Sequence, residues 1–266
     1  MPEVIQELTG LQNQKLTQVP PSAIRAFDNE ISAVDGIIKL TLGEPDFATP
    51  EHVKEAAIKS IQDDDSHYAP SAGKPELRQA IAKVLKKTRG VDYDWASEVT
   101  VTVGATEALT ATTFGLLNPG DKVLVPTPVF SLYFPIISLT GAIPVMVNTA
   151  DDGFVLTPQR LETVLKEEGS AVKAILLNYP SNPTGRSYGA ELIDQLAKVL
   201  QEHHLLVIAD EIYSDLVYDQ EHASLATRLP EQTILISGLS KSHAMTGYRL
   251  GYLAGPASVL APVTQM

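Results

Sequence analysis

From residue 99 onward, short apolar runs rich in β-branched residues alternate with stretches of helical periodicity. This alternation is typical of a sheet with helices on both faces, so we predict an α/β, doubly wound fold. Two of the intervening helices are predicted at residues 106–117 and 190–203. The runs predict seven strands, at residues 99–103, 122–126, 143–148, 174–178, 205–209, 233–237 and 249–254. Ligands of such sheets bind beyond the carboxyl ends of the strands, where we expect the chemistry to lie.

The composition is that of a globular protein, since 44% of the 266 residues are hydrophobic and 20% are charged. A formal net charge of -12 disfavours binding to nucleic acid. The absence of cysteine excludes disulfides and thiolate metal sites, and we predict no metal. No secretion signal is evident at the start, and no apolar run is long enough to span a bilayer. We therefore expect a cytoplasmic protein that does not bind membranes.

The chain before residue 99 has a different pattern. A helical stretch follows Ser22, and a turn-rich connector follows it at Leu42-Gly43-Glu44-Pro45-Asp46-Phe47. We interpret residues 1–45 as an N-terminal arm and connector, and residues 46–266 as one large domain.

Lys241 is the residue that most clearly indicates chemistry. It lies between small residues, in Gly238-Leu239-Ser240-Lys241-Ser242, and Arg249 follows eight positions later with no acidic residue between them. An ammonium becomes a nucleophile only when desolvation or a nearby cation lowers its pKa. These surroundings therefore predict a lysine that forms a Schiff base near a bound phosphate.

A phosphate site is predicted where the first strand runs into Gly104-Ala105-Thr106 at the start of a helix. Free backbone N–H groups and the positive helix end would face the anion there, and Gly104 permits a close approach. An ordinary helix with Thr106 as its N-cap explains the same residues.

Three more residues follow predicted strands. Asp210 ends an apolar strand, where a carboxylate needs a cation such as a protonated pyridine nitrogen; a helix N-cap or a surface aspartate is the alternative. Asn182 lies in a loop fixed by prolines, which a plain turn explains equally. Phe130 could stack on a flat ring, although it could also belong to the core.

Taken in order, these motifs resemble the class I/II aminotransferases, the fold-type-I enzymes that use pyridoxal 5'-phosphate. The motifs that carry the resemblance are Gly104-Ala105-Thr106, Asn182-Pro183-Thr184-Gly185, Asp210 with Tyr213, and Gly238 through Gly251. The resemblance implies the large domain of that fold, a three-layer αβα structure with a mostly parallel seven-stranded sheet. Within the family, the chain looks most like bacterial aspartate, aromatic and diaminopimelate-pathway enzymes.

The resemblance also implies a role for each residue. Lys241 would hold the cofactor as a Schiff base and then carry the substrate's Cα proton, and Asp210 would keep the pyridine nitrogen protonated. Asn182 and Tyr213 would bind the phenolic oxygen of the ring, and Phe130 would stack on its face. The implied phosphate ligands are Gly104, Ala105, Thr106, Ser240 and Arg249, together with Tyr68 of a neighbouring subunit.

Further expectations concern substrate and assembly. The contact across subunits implies a homodimer, and Gly43 and Asn182 would lie beside the substrate. Many relatives have a serine three residues before the lysine; because this chain has Gly238, we expect Ser237 or Ser240 to replace that phosphate ligand.

The resemblance also implies a C-terminal small domain that supplies an arginine for the substrate's α-carboxylate. The last arginine is Arg249, so we expect that domain to be missing from this sequence. The leading hypothesis is transamination between an L-amino acid and a 2-oxo acid in amino acid metabolism. The alternatives are a lyase on the same fold, catalysing β-elimination or cyclisation, and a truncated, catalytically impaired fragment that binds cofactor.

Overall fold

The computed structural model describes residues 4–11, 13–19 and 21–266. The chain divides into two compact units, residues 1–43 and residues 44–266. In the first unit, short 3-10 turns at Gln6–Leu8 and Gln14–Gln18 precede helix α1, Ala23–Ile31. Ser22 caps α1, because its side chain accepts a hydrogen bond from the backbone N–H of Arg25. The interpretation of residues 1–45 as an arm stays a prediction, and part of it falls outside the described residues.

The second unit alternates strands and helices as the sequence predicts. Its helices are α2 (Glu51–Gln62), α3 (Pro75–Arg89), α4 (Gly104–Leu116), α5 (Tyr133–Thr140), α6 (Pro158–Glu168), α7 (Ala190–Glu202) and α8 (Ala257–Gln265). Its strands are β1 (Val99–Val103), β2 (Lys122–Thr127), β3 (Ile143–Asn148), β4 (Val172–Asn178), β5 (Leu206–Asp210), β6 (Thr233–Gly238) and β7 (Leu250–Ala254). Every predicted strand is present, with its ends displaced by at most two residues.

In the described part of the chain these strands form one seven-stranded sheet, in the order β1-β7-β6-β5-β4-β2-β3. Strand β7 runs antiparallel to both of its neighbours, β1 and β6. The other pairs are parallel. Because β4, β5 and β6 are parallel neighbours, the loops that follow them leave the same edge of the sheet.

Both faces of the sheet are buried. On β4, Ile175 and Leu177 pack with the cluster that includes α6 and α7, whereas Ala174 and Leu176 pack with the cluster that includes α4, α5 and α8. This alternation follows from the two-residue period of a strand. The prediction of a three-layer αβα fold with a mostly parallel sheet is therefore confirmed. None of the described helices is long and apolar enough to cross a membrane.

Candidate active site

Three of the predicted site residues follow neighbouring strands at one edge of the sheet. Asn182 follows β4, Asp210 is the last residue of β5, and Lys241 follows β6. These strands are adjacent and parallel. The fold thus gathers residues that are far apart in the sequence at the carboxyl ends of three central strands.

The Asp210 carboxylate is buried, with 3% of the residue exposed, which excludes a surface position. The Tyr133 hydroxyl donates a hydrogen bond to Oδ2 at 2.6 Å, and the Ile212 backbone N–H donates to Oδ1 at 3.2 Å. Burial raises the pKa of Asp210 to about 6, although both hydrogen bonds favour the ionised form. Because both donors are neutral, the ionised carboxylate can still be stabilised by a cation.

Asn182 and Tyr213 lie side by side on the loops after β4 and β5. The Asn182 side-chain Nδ2 is 3.4 Å from the Tyr213 hydroxyl. The backbone N–H of Asn182 donates to the side chain of Asn178 at 2.7 Å, which anchors this loop to the end of β4. Burial raises the pKa of Tyr213, and the charge of Asp210 raises it further, so the hydroxyl keeps its proton at neutral pH.

Lys241 is half-buried near these groups, and its Nζ lies 6.0 Å from the centre of the Tyr213 ring. Partial burial lowers the pKa of Lys241; Glu44 opposes this shift, while the positive charge of Arg249 adds to it. Desolvation and a neighbouring cation are the two influences that the sequence suggested for this lysine.

Helix α4 begins at Gly104, two residues earlier than predicted. Thr106 is therefore inside the first turn, and the alternative interpretation of Thr106 as the N-cap is wrong. The reason is that Gly104 adopts a positive φ of 78°, which lets the chain pass directly from β1 into the helix. The Glu107 carboxylate accepts a hydrogen bond from the backbone N–H of Val103 just before the helix.

The start of α4 lies against the Arg249 side chain. A Cβ atom added to Gly104 would lie 2.5 Å from Nη2 of Arg249, so only glycine permits this approach. Nη1 of Arg249 donates to the Thr246 carbonyl oxygen at 3.0 Å, which orients the guanidinium. Exposed guanidinium and the first N–H groups of a helix together form a cationic end that suits an anion such as phosphate.

The residue three positions before Lys241 has no room for a side chain. A Cβ atom at Gly238 would lie 2.7 Å from the carbonyl oxygen of Leu250 on the paired strand β7. Of the two serines expected to replace a side chain there, Ser237 is buried and its hydroxyl is near the Glu211 carbonyl oxygen, at 3.4 Å. Ser240 is almost fully buried, and its role as a phosphate ligand stays a prediction.

The described contacts do not test the roles predicted for three other residues. The ring of Phe130 packs edge-on against Tyr133, with centroids 5.8 Å apart. Tyr68 is fully exposed, as a residue that reaches another subunit would be in a single chain. Gly43 belongs to the first compact unit. The roles of all three stay predictions.

The sequence model of aminotransferase class I and II matches residues 35–266. The chain belongs to this family. The prediction made from its ordered motifs is therefore confirmed, and so is the prediction of pyridoxal 5'-phosphate as the cofactor, on which enzymes of this family depend.

Similar aminotransferases are found in several bacteria. The chain is 45% identical over 249 residues to a probable N-acetyl-LL-diaminopimelate aminotransferase of Bacillus subtilis, which covers 94% of this chain and 63% of the relative. It is 39% identical to an aspartate aminotransferase of Geobacillus stearothermophilus, covering 95% of this chain and 66% of the relative. The structure of the Thermus thermophilus aspartate aminotransferase with maleate matches with a TM-score of 0.91 and 36% identity, over 96% of this chain and 67% of that one. The chain thus spans less than two thirds of the length of the first two relatives.

The residues of this chain fit pyridoxal 5'-phosphate at two separate places. Asp210 is a buried carboxylate whose hydrogen-bond donors are neutral, and a protonated pyridine nitrogen would supply the missing cation. At the start of α4, the absence of a side chain on Gly104 lets the Arg249 guanidinium lie against the helix. The guanidinium is therefore close to the first N–H groups of the helix, which have no partner within it. The first place suits the ring nitrogen and the second suits the phosphate.

Two residues of the site did not emerge from the sequence. Tyr133 is separated from Asp210 by 77 positions, and nothing in the sequence connects a tyrosine in an apolar helix with that carboxylate. Asn178 could have been noticed, because a polar residue that ends a run of buried apolar residues needs hydrogen-bond partners.

Proposed function

We propose that this protein transfers an amino group between an L-amino acid and a 2-oxo acid, as an aminotransferase of amino acid metabolism. The observation that carries the proposal is the grouping of Asn182, Asp210 and Lys241 after three adjacent parallel strands. The membership of the family supports it. An amine nucleophile and a carboxylate partner for the pyridine nitrogen are groups that reactions dependent on pyridoxal 5'-phosphate use.

When bound, pyridoxal 5'-phosphate supplies an electron-accepting pyridine ring. Asp210 would keep a proton on the ring nitrogen, and above pH 6 its carboxylate is mainly ionised and able to do so. Asn182 and Tyr213, which lie 3.4 Å apart, would both donate hydrogen bonds to the phenolic oxygen. Together these groups would fix the orientation of the ring, and Asp210 would keep the pyridine nitrogen protonated.

Lys241 would act first as the attachment point of the cofactor and then as a base. Its lowered pKa increases the fraction of neutral amine, which is the nucleophilic form. Released from the cofactor, the same Nζ would accept the proton from the substrate's Cα. The phosphate would be held by Arg249, by Ser240 and by the N–H groups of Gly104, Ala105 and Thr106.

The assembly and the location are parts of the same proposal. The full exposure of Tyr68 supports a homodimer in which this side chain reaches the phosphate of the neighbouring subunit. Gly43 would lie beside the substrate, as in the family pattern, and Phe130 would cover the ring. The absence of cysteine is compatible with a cytoplasmic location, where thiols stay reduced.

The proposal is tested by titrating the purified protein with pyridoxal 5'-phosphate and recording the visible absorbance band of the bound cofactor. We expect the band in the wild type and its loss in Lys241→Ala. Lys198→Ala removes an exposed lysine of α7 and is the matched control, which should keep the band. A wild type without the band would contradict the proposal at its first step.

The reaction is tested by measuring amino transfer to 2-oxoglutarate from a panel of donors. The names of the relatives make aspartate and N-acetyl-LL-diaminopimelate the first donors to include. Transfer that Lys241→Ala abolishes would support the proposal. Release of pyruvate from cysteine without any acceptor, and no transfer from any donor, would indicate the lyase instead.

A further inference from the structure

Asn178 is a buried residue whose side chain joins two loops of the candidate site. Its Nδ2 donates a hydrogen bond to the carbonyl oxygen of Asp210 at 3.0 Å, and its Oδ1 accepts one from the backbone N–H of Asn182 at 2.7 Å. Asn178 and Asp210 lie opposite each other in the register of β4 and β5. One primary amide therefore ties the loop that carries Asn182 to the strand end that carries Asp210.

This position requires an amide. A side chain of this size must donate to a carbonyl on one side and accept from an N–H on the other, and the asparagine side chain has one group of each kind. An aspartate would keep the acceptor but lose the donor. An apolar side chain would leave the Asn182 N–H without this acceptor and would remove one of the two donors to the Asp210 carbonyl oxygen, the other being the Tyr179 N–H.

The Asn178 side chain acts near the middle of the loop after β4, whereas the start of the loop is held by the Tyr179 N–H, which also donates to the Asp210 carbonyl oxygen, at 3.3 Å. Two of the loop's other hydrogen bonds stay within the loop, from Ser181 N–H to the Arg186 carbonyl and from Gly185 N–H to the Ser181 carbonyl. At its tip, the contact between Asn182 and Tyr213 is long, at 3.4 Å. The shorter bond at 2.7 Å, from Asn182 N–H to Asn178, is therefore the stronger constraint on where the Asn182 amide lies.

We propose that Asn178 is a positioning residue that sets the location of the Asn182 amide relative to the Asp210 carboxylate, so that both meet one bound cofactor ring. The inference rests on the proposed function, because it takes Asn182 and Asp210 as the groups that hold the ring. Asn178 itself acts through these residues and does not touch the cofactor.

The test measures the dissociation constant of pyridoxal 5'-phosphate from the absorbance titration of the complete chain. We expect Asn178→Ala to weaken binding about tenfold, because a tenfold change corresponds to the net free energy of about one hydrogen bond. Asn148→Ala is the matched control. Asn148 also ends a strand of the sheet and accepts a local hydrogen bond, from Ala150 N–H at 3.0 Å, but it is exposed and belongs to the edge strand β3. Its replacement should leave the dissociation constant within about twofold of wild type.

A double-mutant cycle distinguishes positioning from a general loss of stability. If Asn178 acts through Asn182, Asn178→Ala should cost much less, about twofold, when it is introduced into Asn182→Ala. The free energy of unfolding of each cofactor-free variant is measured in parallel. Lower stability with an unchanged dissociation constant, or full additivity in the cycle, would overturn the proposal.

Asn178→Asp serves as a second variant in case Asn178→Ala does not fold. It keeps an acceptor for Asn182 N–H and replaces the donor to the Asp210 carbonyl by an oxygen, so binding should again weaken about tenfold. Failure of both variants to fold would assign Asn178 to folding and overturn the proposal. A wild type that shows no cofactor band would remove the proposed function as well, whereas equal binding by wild type and both variants would remove only the role of Asn178.

Discussion

The burial of the Asp210 carboxylate suits the binding of a cationic nitrogen of the proposed cofactor. The same burial lowers the stability of the cofactor-free protein at neutral pH. The pKa of Asp210 is about 6 in the folded chain, compared with 3.8 for an unperturbed aspartate, because it is buried. The folded state therefore holds this proton more tightly than the unfolded state does. Its contribution to stability is fully present below pH 3.8 and is lost as the pH rises to about 6, a loss on the order of 3 kcal/mol.

Replacing Asp210 by asparagine should separate these two roles. In the cofactor-free protein at pH 7, we expect Asp210→Asn to raise the free energy of unfolding by about 1–3 kcal/mol, because the amide needs no ionisation in a buried place. The gain should shrink at pH 5, where wild-type Asp210 is mainly protonated. Urea denaturation at the two pH values measures this, and cofactor titration should show weaker binding. A gain that does not depend on pH would contradict the argument from ionisation.

At the scale of elements, the proposed phosphate site depends on how closely β7 approaches the start of α4. A Cβ atom added to Gly251 on β7 would overlap the backbone of Gly104 and Ala105, which cannot move aside as a flexible side chain could. Because Gly104 has no side chain, the Arg249 guanidinium can lie directly against it. Two glycines without side chains therefore let a strand, a helix start and a guanidinium meet at one point.

We expect Gly251→Ala to lower the free energy of unfolding by about 2–3 kcal/mol, because the added methyl group pushes α4 away from β7. Gly247→Ala is the control: nothing lies within 4 Å of its Cβ position, so its effect should stay within about 0.5 kcal/mol. Thermal or urea denaturation followed by circular dichroism compares the two. Equal stability of Gly251→Ala and wild type would show that the two backbones can separate without cost.

At the scale of the whole large unit, a buried ion pair connects α3 to the loop after β5. Glu211 is fully buried, and Nε of Arg89 at the end of α3 lies 3.4 Å from Oε2. Tyr179, His222 and Ser224 contact the same carboxylate at 3.0, 2.8 and 2.5 Å. Because Glu211 follows Asp210 directly, this cluster also constrains the backbone of Asp210.

Removing Glu211 should be far more damaging than removing a surface charge. Glu211→Ala removes the buried partner of Arg89, whose side chain is 8% exposed, and leaves only the more exposed Asp215, at 3.4 Å, to balance its charge. We expect a loss of about 3–5 kcal/mol in the free energy of unfolding. Asp194→Ala breaks the exposed pair with Arg228 and should cost at most about 1 kcal/mol. Urea denaturation of the two variants provides the comparison, and similar losses would contradict a special role for the buried pair.

Much of this architecture was predictable because local patterns determine it. The apolar runs of β4, β5 and β6 are buried on both faces, which makes them recognisable as strands, and the residues just after them are where a ligand of such a sheet binds. Lys241 and Asp210 could be found this way. The start of α4 could not, because Thr106 looks like a cap, whereas the helix begins two residues earlier, after the turn that Gly104 makes with its positive φ.

The sequence by itself determined the order of the elements, the family, and the candidate residues for the chemistry, because periodicity and short motifs are local properties. Only the tertiary structure decided which side chains support them. Tyr133 reaches Asp210, and Asn178 bridges Asp210 and Asn182, because the strand order places segments distant in sequence beside each other. Such contacts depend on long-range packing and on burial, which also sets the pKa of Asp210, and no local pattern encodes them.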